Sequence, residues 1–489
     1  MLLTDSLLLD FKRCPRRAYL NLHGDYNQRN PERDFLLKLR QENQQHAAEI
    51  LEKFYPHHQI PQTPPEEREA RVAETIALMS EGVDCIYQGM LWTTVTFSEQ
   101  NHPFEFAGTP HLLIRQPGLS RWGDWLYVPA SIHLGRRPKP EYKLVAAFYA
   151  QLLSAIQSVL PPIVYLFLRR RNHYVLDLAE WLPRLNQVLA DCATQLMQQQ
   201  EPEVFISRQR CSLCHWHRHC YELAQSQQHL SLVPGVTPTR YQSLQNIGVA
   251  SIESLAGACP KHLGEVIGRD VASQLQQQAQ SILENRAMLR LTHQSHPLPQ
   301  IPTATIELYF DIEAEPERNL DYLLGVLVVN HQDNTQEFNG FLAIDPENEE
   351  EIWQEFLKFI KQYKQAPIFH FSEYEVETIK RLAKCYQTPH RQIMPLLSRC
   401  IDLHRHVVHS VTLPVESYSL KSLAQWLGFQ WREVGAGGDQ CVCWYDQWLK
   451  TGERHFLEMI LRYNEDDCRA TFHLKHWLTA FLSPAKADQ

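Results

Sequence analysis

The residues best suited to chemistry in this chain are carboxylates. The segment "LYFDIEAEP" places Asp311 and Glu313 two residues apart among Leu308, Phe310 and Ile312. Period-two alternation along a strand sends both acids to one face. Two carboxylates side by side on a buried strand repel each other and lose hydration, a penalty that a bound cation offsets. The alternative is an edge strand whose acids face water. A second segment, "IFHFSEYEVETIKRL", offers Glu375 after Tyr374 at a predicted helix start. A third, "YNEDDC" at 463–468, lies in an apolar pattern of helical period that includes Phe456, Ile460, Leu461, Phe472 and Leu474. On a helix Tyr463 and Asp467 share a face. Glu465 points elsewhere and is assigned to solvent, and Asp466 competes with Asp467 for the inward position. Hard oxygen ligands of this kind suit Mg²⁺ or Mn²⁺. A pair of such ions activates water and stabilises the leaving oxygen in phosphodiester hydrolysis.

In this order, a D-x-E on a strand, an acid after an aromatic near a helix start and a Y-x-x-x-D on a helix resemble the DEDD exonucleases of the RNase H-like superfamily, tyrosine subclass (DEDDy). The resemblance implies that Asp311, Glu313, Glu375 and Asp467 hold two metal ions, that Tyr463 orients the attacking water, and that digestion runs 3′→5′. Glu375 stands where the usual residue is Asp, which lengthens one ligand by a methylene. The family's tyrosine-to-aspartate spacing selects Asp467 over Asp466.

The chain has 12 cysteines. In "RQRCSLCHWHRHC", Cys211, Cys214 and Cys220 are interleaved with His215, His217 and His219. A histidine can complete a local zinc site. Otherwise the fourth ligand is remote, and Cys14 in "FKRCPRRAYL" is the candidate. That second arrangement resembles the iron–sulfur members of the RecB-like PD-(D/E)XK nuclease family. The resemblance implies that Cys14, Cys211, Cys214 and Cys220 hold a structural [4Fe–4S] cluster, with Zn²⁺ as the alternative. The other cysteines are expected to be buried small hydrophobes.

The RecB-like core should carry an Asp after a G-x-P turn, then an acid and a Lys on the next strand. Here "GTPHLLIR" has His111 in the first place, and "ASIH" has Ser131 and His133 in the others. Tyr149 is kept in the following helix, and His46 matches an upstream histidine of the family. This domain is therefore expected to be inactive and to serve as a nucleic-acid-binding platform, with Arg136, Arg137, Lys139 and Lys143 contacting phosphates. A metal site built from His46, His111 and His133 is the alternative.

Around these residues the chain reads as a multidomain α/β protein. Residues 1–225 form a RecB-like, restriction-endonuclease-type α/β core. In residues 226–291, "LSLVPGVTPTRYQSLQNIGVASIESLA" resembles a helix–hairpin–helix unit, which implies a small helical DNA-binding domain with Gly235 placing peptide N–H groups against a phosphate. The alternative is a helical spacer that uses its glycines as caps. The Pro-rich stretch 292–304 is a linker. Residues 305–480 form an RNase H-like mixed-sheet α/β domain. The Gln run in "SQLQQQAQSIL" is read as a polar helix face.

The net charge of −9 excludes a globally basic nucleic-acid binder, so a polyanion must be met by local patches. Residues 1–225 carry 24 charges of each sign, whereas the rest has 23 basic against 32 acidic. No apolar run is long enough to cross a bilayer, and the N-terminus does not read as a signal peptide. The cytoplasm is the expected location. The whole pattern resembles the bacterial RecB-type (YprB-like) nucleases that carry a C-terminal exonuclease domain. A metal-dependent exonuclease is expected, acting on DNA in preference to RNA, with a helicase as a candidate partner. The rival is a non-catalytic DNA-binding or scaffold subunit of a repair or defence complex.

Overall fold

The computed structural model describes residues 2–96, 103–169, 171–290 and 300–483. Residues 292–299 of the expected linker lie outside them, as does Arg170 of the basic run at 169–171. The chain divides into two compact units, 1–221 and 222–489.

The first unit carries β1 (Leu2–Thr4), β2 (Cys85–Tyr87), β3 (Leu91–Thr96), β4 (Pro103–Gly108), β5 (Leu112–Ser120), β6 (Gly123–His133), β7 (Tyr165–Leu168) and β8 (Arg171–Val175). These make a three-stranded sheet, β1-β4-β3, and a five-stranded sheet, β2-β5-β6-β7-β8. The helix Pro140–Gln157 is buried along Leu144–Ala150, on every side. A helix that is apolar all round must be enclosed. It packs against both sheets and against the helices Asp5–Arg13 and Leu178–Gln198.

The second unit carries β9 (Met288–Leu289), β10 (Ile306–Glu315), β11 (Leu320–Asn330), β12 (Thr335–Leu342), β13 (Ile368–His370), β14 (Cys400–Asp402) and β15 (Val411–Thr412). Its main sheet has the order β12-β11-β10-β13-β14. The first three strands are antiparallel, while β13 and β14 run parallel to β10. Alternation along β10 divides the core. Leu308, Phe310 and Ile312 pack with Trp353, Phe356 and Ile379 on one face. The other face presents Glu307, Tyr309, Asp311 and Glu313 to the long helix His455–Leu482.

That helix lies unusually close to the sheet. A Cβ on Gly325 would fall 1.6 Å from Asn464 Oδ1, and one on Gly340 2.7 Å from Leu461 Cδ2. The two glycines are register partners on adjacent strands, so together they form a shallow trough for the helix.

The segment 226–291 does not stand apart from the C-terminal sheet, because it packs with it in one unit. The glutamines of the helix Arg269–Glu284 explain why. Gln277 and Gln278 are buried. Gln278 donates to the Leu413 carbonyl at 2.6 Å and accepts from the Tyr418 hydroxyl at 2.8 Å. Gln277 donates to the Leu289 carbonyl and accepts from Thr412, beside the β9–β15 pairing. The sequence pattern puts these glutamines on a solvated face. Two of them instead satisfy the backbone carbonyls of Leu289 and Leu413.

The helix His455–Leu482 is anchored at its far end by Lys475, which donates to Glu307 at 2.6 Å, both side chains being buried. Removing one partner of such a pair strands the other charge. Lys475→Met is expected to lower stability by about 3–5 kcal/mol, measured by denaturant unfolding. The double variant with Glu307→Gln should recover most of that loss.

Candidate metal centre

Asp311 and Glu313 project from β10, and Asp467 comes from the long helix opposite. Their ligand oxygens lie within 4.8 Å of one another, the one such grouping of metal-competent side chains found among the described residues. Glu313 is buried, while Asp311 and Asp467 are partly buried, so the cluster opens toward solvent.

Each acid is held in place by neighbours remote in sequence. Asn464 Nδ2 donates to Asp311 Oδ2 at 2.7 Å. Trp431 Nε1 donates to Asp467 Oδ1 at 2.7 Å. The Cys441 thiol, fully buried, donates to Glu313. Lys421 lies near Asp467 and donates to the Ala436 carbonyl, supporting the glycine-rich loop 435–438. Tyr463 is buried with its ring hydroxyl facing Asp467, Glu313 and Asp311, and burial keeps it protonated.

Burial pushes the Asp311 carboxyl well up, and its acidic neighbours Asp467, Glu313 and Glu375 push it further. Glu313 is raised by burial and then by Asp467. Asp467 is pushed up to about 7 by burial, against the lowering pull of Trp431 and Lys421. Like charges confined at this spacing cannot all ionise without a cation. The contrast with Glu307 on the same strand is direct. Glu307 has Lys475, and the ammonium and the Tyr309 hydroxyl keep its carboxyl low in spite of burial.

The other predicted residues are placed as follows. Glu375 is buried at the start of the helix Tyr374–Cys385 and lies outside the tight trio. Ser372 Oγ donates to it at 3.3 Å, and His370 lies 3.6 Å away. Its charge still reaches Asp311 and Asp467. Asp466 is buried facing away, bound by the Arg432 backbone and guanidinium at 2.9 and 2.8 Å. Glu465, assigned to solvent from the sequence, is instead clamped between Arg432 and Arg469. The helical period separated these acids correctly, but the arginine from a distant loop was not visible to it.

In the first unit, Cys14 converges with Cys211, Cys214 and Cys220, whose charges act on one another. The Ser207 amide donates to the Cys211 sulfur at 3.3 Å, the Trp216 amide to Cys214, and Arg16 to Cys220. His215 is engaged with Asn21 at 2.9 Å. Of the cysteines expected to be buried, Cys259 and Cys385 are exposed and Cys400 is partly so.

His111 and His133 face each other with ring centroids 6.1 Å apart, and His133 stacks on Tyr142 at 3.8 Å. Burial lowers their pKa values to about 4 and about 3, helped for His133 by His111, Arg13 and Lys139. His46 lies beside Glu49 and Arg169, and the three histidines do not form a tight metal-ligand grouping among the described residues. Tyr149 donates to Asp5 at 2.7 Å. Arg137 and Lys139 are exposed. Lys143 is half-buried and drawn over the Tyr174 and Trp181 rings at 5.0 and 5.2 Å. Gly235 takes φ +92 ahead of the helix Pro238–Gln245, whose start is capped by the Thr237 side chain. The Gly235 carbonyl accepts from Arg240 at 2.7 Å.

Residues 308–479 match the family described as RNase_H superfamily, so the β10–β14 sheet and its helices are an RNase H-like domain. No curated protein matches the chain. A solved structure titled "Crystal structure of SSO0001" is 13% identical, with a TM-score of 0.22, covering 44% of this chain and 83% of that one. A likeness that remote bears on neither fold nor activity. No helix among the described residues is long and apolar enough to cross a membrane.

The acid cluster makes a signed pH prediction. Asp467 is held at about 7 against an ordinary 3.8. Between those values the folded protein keeps a proton that the unfolded chain releases, so stability falls as pH rises. Without metal, the thermal midpoint of the wild type relative to Asp467→Asn should drop between about pH 4 and about pH 7. Adding Mn²⁺ should reverse the drop, as read by calorimetry.

Proposed function

We propose that this protein is a divalent-metal-dependent nuclease, an exonuclease that digests DNA 3′→5′ through the RNase H-like domain. The observation that carries this reading is the cluster of Asp311, Glu313 and Asp467, acids gathered without a neutralising partner inside the trio. Asp311, Glu313 and Asp467 would hold Mg²⁺ or Mn²⁺, with Glu375 contributing from the rim. Two such ions supply the charge that activates water and stabilises the leaving oxygen. The Tyr463 hydroxyl, kept protonated, orients the water. Trp431 and Asn464 hold their carboxylates in fixed rotamers.

In this reading the first unit binds nucleic acid and does not cut it. Burial is the main cause that keeps His133 uncharged, and His111, Arg13 and Lys139 lower it further, whereas the usual metal-binding acids of the family are replaced by His111, Ser131 and His133. Exposed Arg137 and Lys139 contact phosphates, and the helical segment around Gly235 adds backbone contacts.

Cys14, Cys211, Cys214 and Cys220 are proposed to bind a [4Fe–4S] cluster that joins the two ends of that unit. Burial raises the thiols of Cys211, Cys214 and Cys220, and amide and guanidinium donors to the three sulfurs oppose that rise and favour the thiolate that a metal needs. A tetrahedral zinc ion, with Zn–S of about 2.3 Å, requires sulfurs less than about 4 Å apart. No three of the four meet even a 4.8 Å limit.

The test is digestion of end-labelled DNA and RNA by the full chain with Mg²⁺ or Mn²⁺. Asp311→Ala and Asp467→Asn should each lower kcat more than about a hundredfold. Asp466→Asn should act mainly on stability. Cleavage that survives both cluster substitutions overturns the assignment, and cleavage of no substrate by the wild type favours a binding scaffold. Separately, purified protein should be brown with absorbance in the visible blue, lost in Cys214→Ser. Colourless protein with stoichiometric zinc rejects the iron–sulfur assignment.

A further inference from the structure

Asn464 is fully buried between the long helix and the sheet, and its two amide atoms are treated very differently. Nδ2 donates to Asp311 Oδ2 at 2.7 Å. Oδ1 has no hydrogen-bond partner among the described residues. It occupies the place where a Cβ on Gly325 would stand, 1.6 Å away. Gly325 is the register partner of Asp311 across β10 and β11. It is absent from the positive-φ positions, so the backbone does not demand glycine there. Only the space does.

An orphaned buried acceptor is unfavourable. The fold tolerates it at the one point where the same amide controls a cluster carboxylate. The choice of an amide is also informative. A lysine or arginine here would neutralise the acids and exclude a cation, as Lys475 does for Glu307. An aspartate would add to the repulsion. A neutral donor fixes one oxygen of Asp311 and leaves the other for a metal ion.

We infer that Asn464 is a positioning residue that sets the rotation of the Asp311 carboxylate for cation binding, and that Gly325 exists to admit it. This rests on the reading of Asp311 as a metal ligand. Outer partners that orient a ligand typically alter metal affinity 10–100-fold.

The experiment is calorimetric titration of Mn²⁺ into the metal-free full chain, scored at the site that Asp311→Asn abolishes, together with thermal midpoints. Asn464→Ala should weaken that binding by roughly 10–100-fold. Gly325→Ala should weaken it similarly while leaving Asn464 present, since the new methyl displaces the amide, and it should lower the midpoint. In the double variant the methyl introduced by Gly325→Ala fills the space that the amide vacates. The midpoint should therefore recover toward wild type while Mn²⁺ affinity stays low. That split is what a purely structural asparagine cannot produce. Wild-type affinity in Asn464→Ala or in the double variant overturns the inference while leaving Asp311 as a ligand. Wild-type affinity in Asp311→Asn overturns both the inference and the metal reading beneath it.

Discussion

The second unit depends on how closely the helix His455–Leu482 lies on its sheet. Gly325 and Gly340 remove the side chains that would hold it away. The helix then crosses β10 in the opposite direction, so its contacts step along the strand in order. Lys475 meets Glu307, Phe472 meets Tyr309, and Asn464 meets Asp311. Eleven residues of helix rise about 16 Å and four of strand about 13 Å, which is why one register serves both ends. The buried ion pair fixes the register, and the register brings Asp467 to Asp311 and Glu313.

Along that single strand the carboxylate is used in two ways. Glu307 is compensated inside the protein, and it is structural. Asp311 and Glu313 are not, and the helix adds a third acid where it could have supplied a base. The surroundings then divide the remaining acids. Arg432 takes Asp466 and shares Glu465 with Arg469, leaving Asp467 the one member of the run aimed inward. The repulsion that results would be relieved by a bound cation.

In the first unit, burial keeps His111 and His133 neutral, with Arg13 and Lys139 near His133. The helix Pro140–Gln157, buried on every side along Leu144–Ala150, lies at the core of that unit. The cysteines lie at the start and end of the unit, on short helices with little core of their own, where a covalent or metal staple has the most to stabilise.

Much of the site was legible in the sequence because it is written in local periods. The D-x-E alternation put Asp311 and Glu313 on one face, and the four-residue spacing paired Tyr463 with Asp467. The RNase H-like architecture was implied by the resemblance of the three acid motifs, in their order, to a known family. What only the tertiary structure decided depends on residues far apart in the chain. Gly325 and Asn464 are separated by more than a hundred positions, as are Gln278 and Leu413, and no periodicity links them. Trp431, Lys421 and Arg432 come from segments whose course is set by packing. Glu375 was recognisable as an acid after an aromatic, but its setback from the trio depends on Ser372 and His370. Local spacing determines which face a side chain takes, and only the packed chain determines what that face meets.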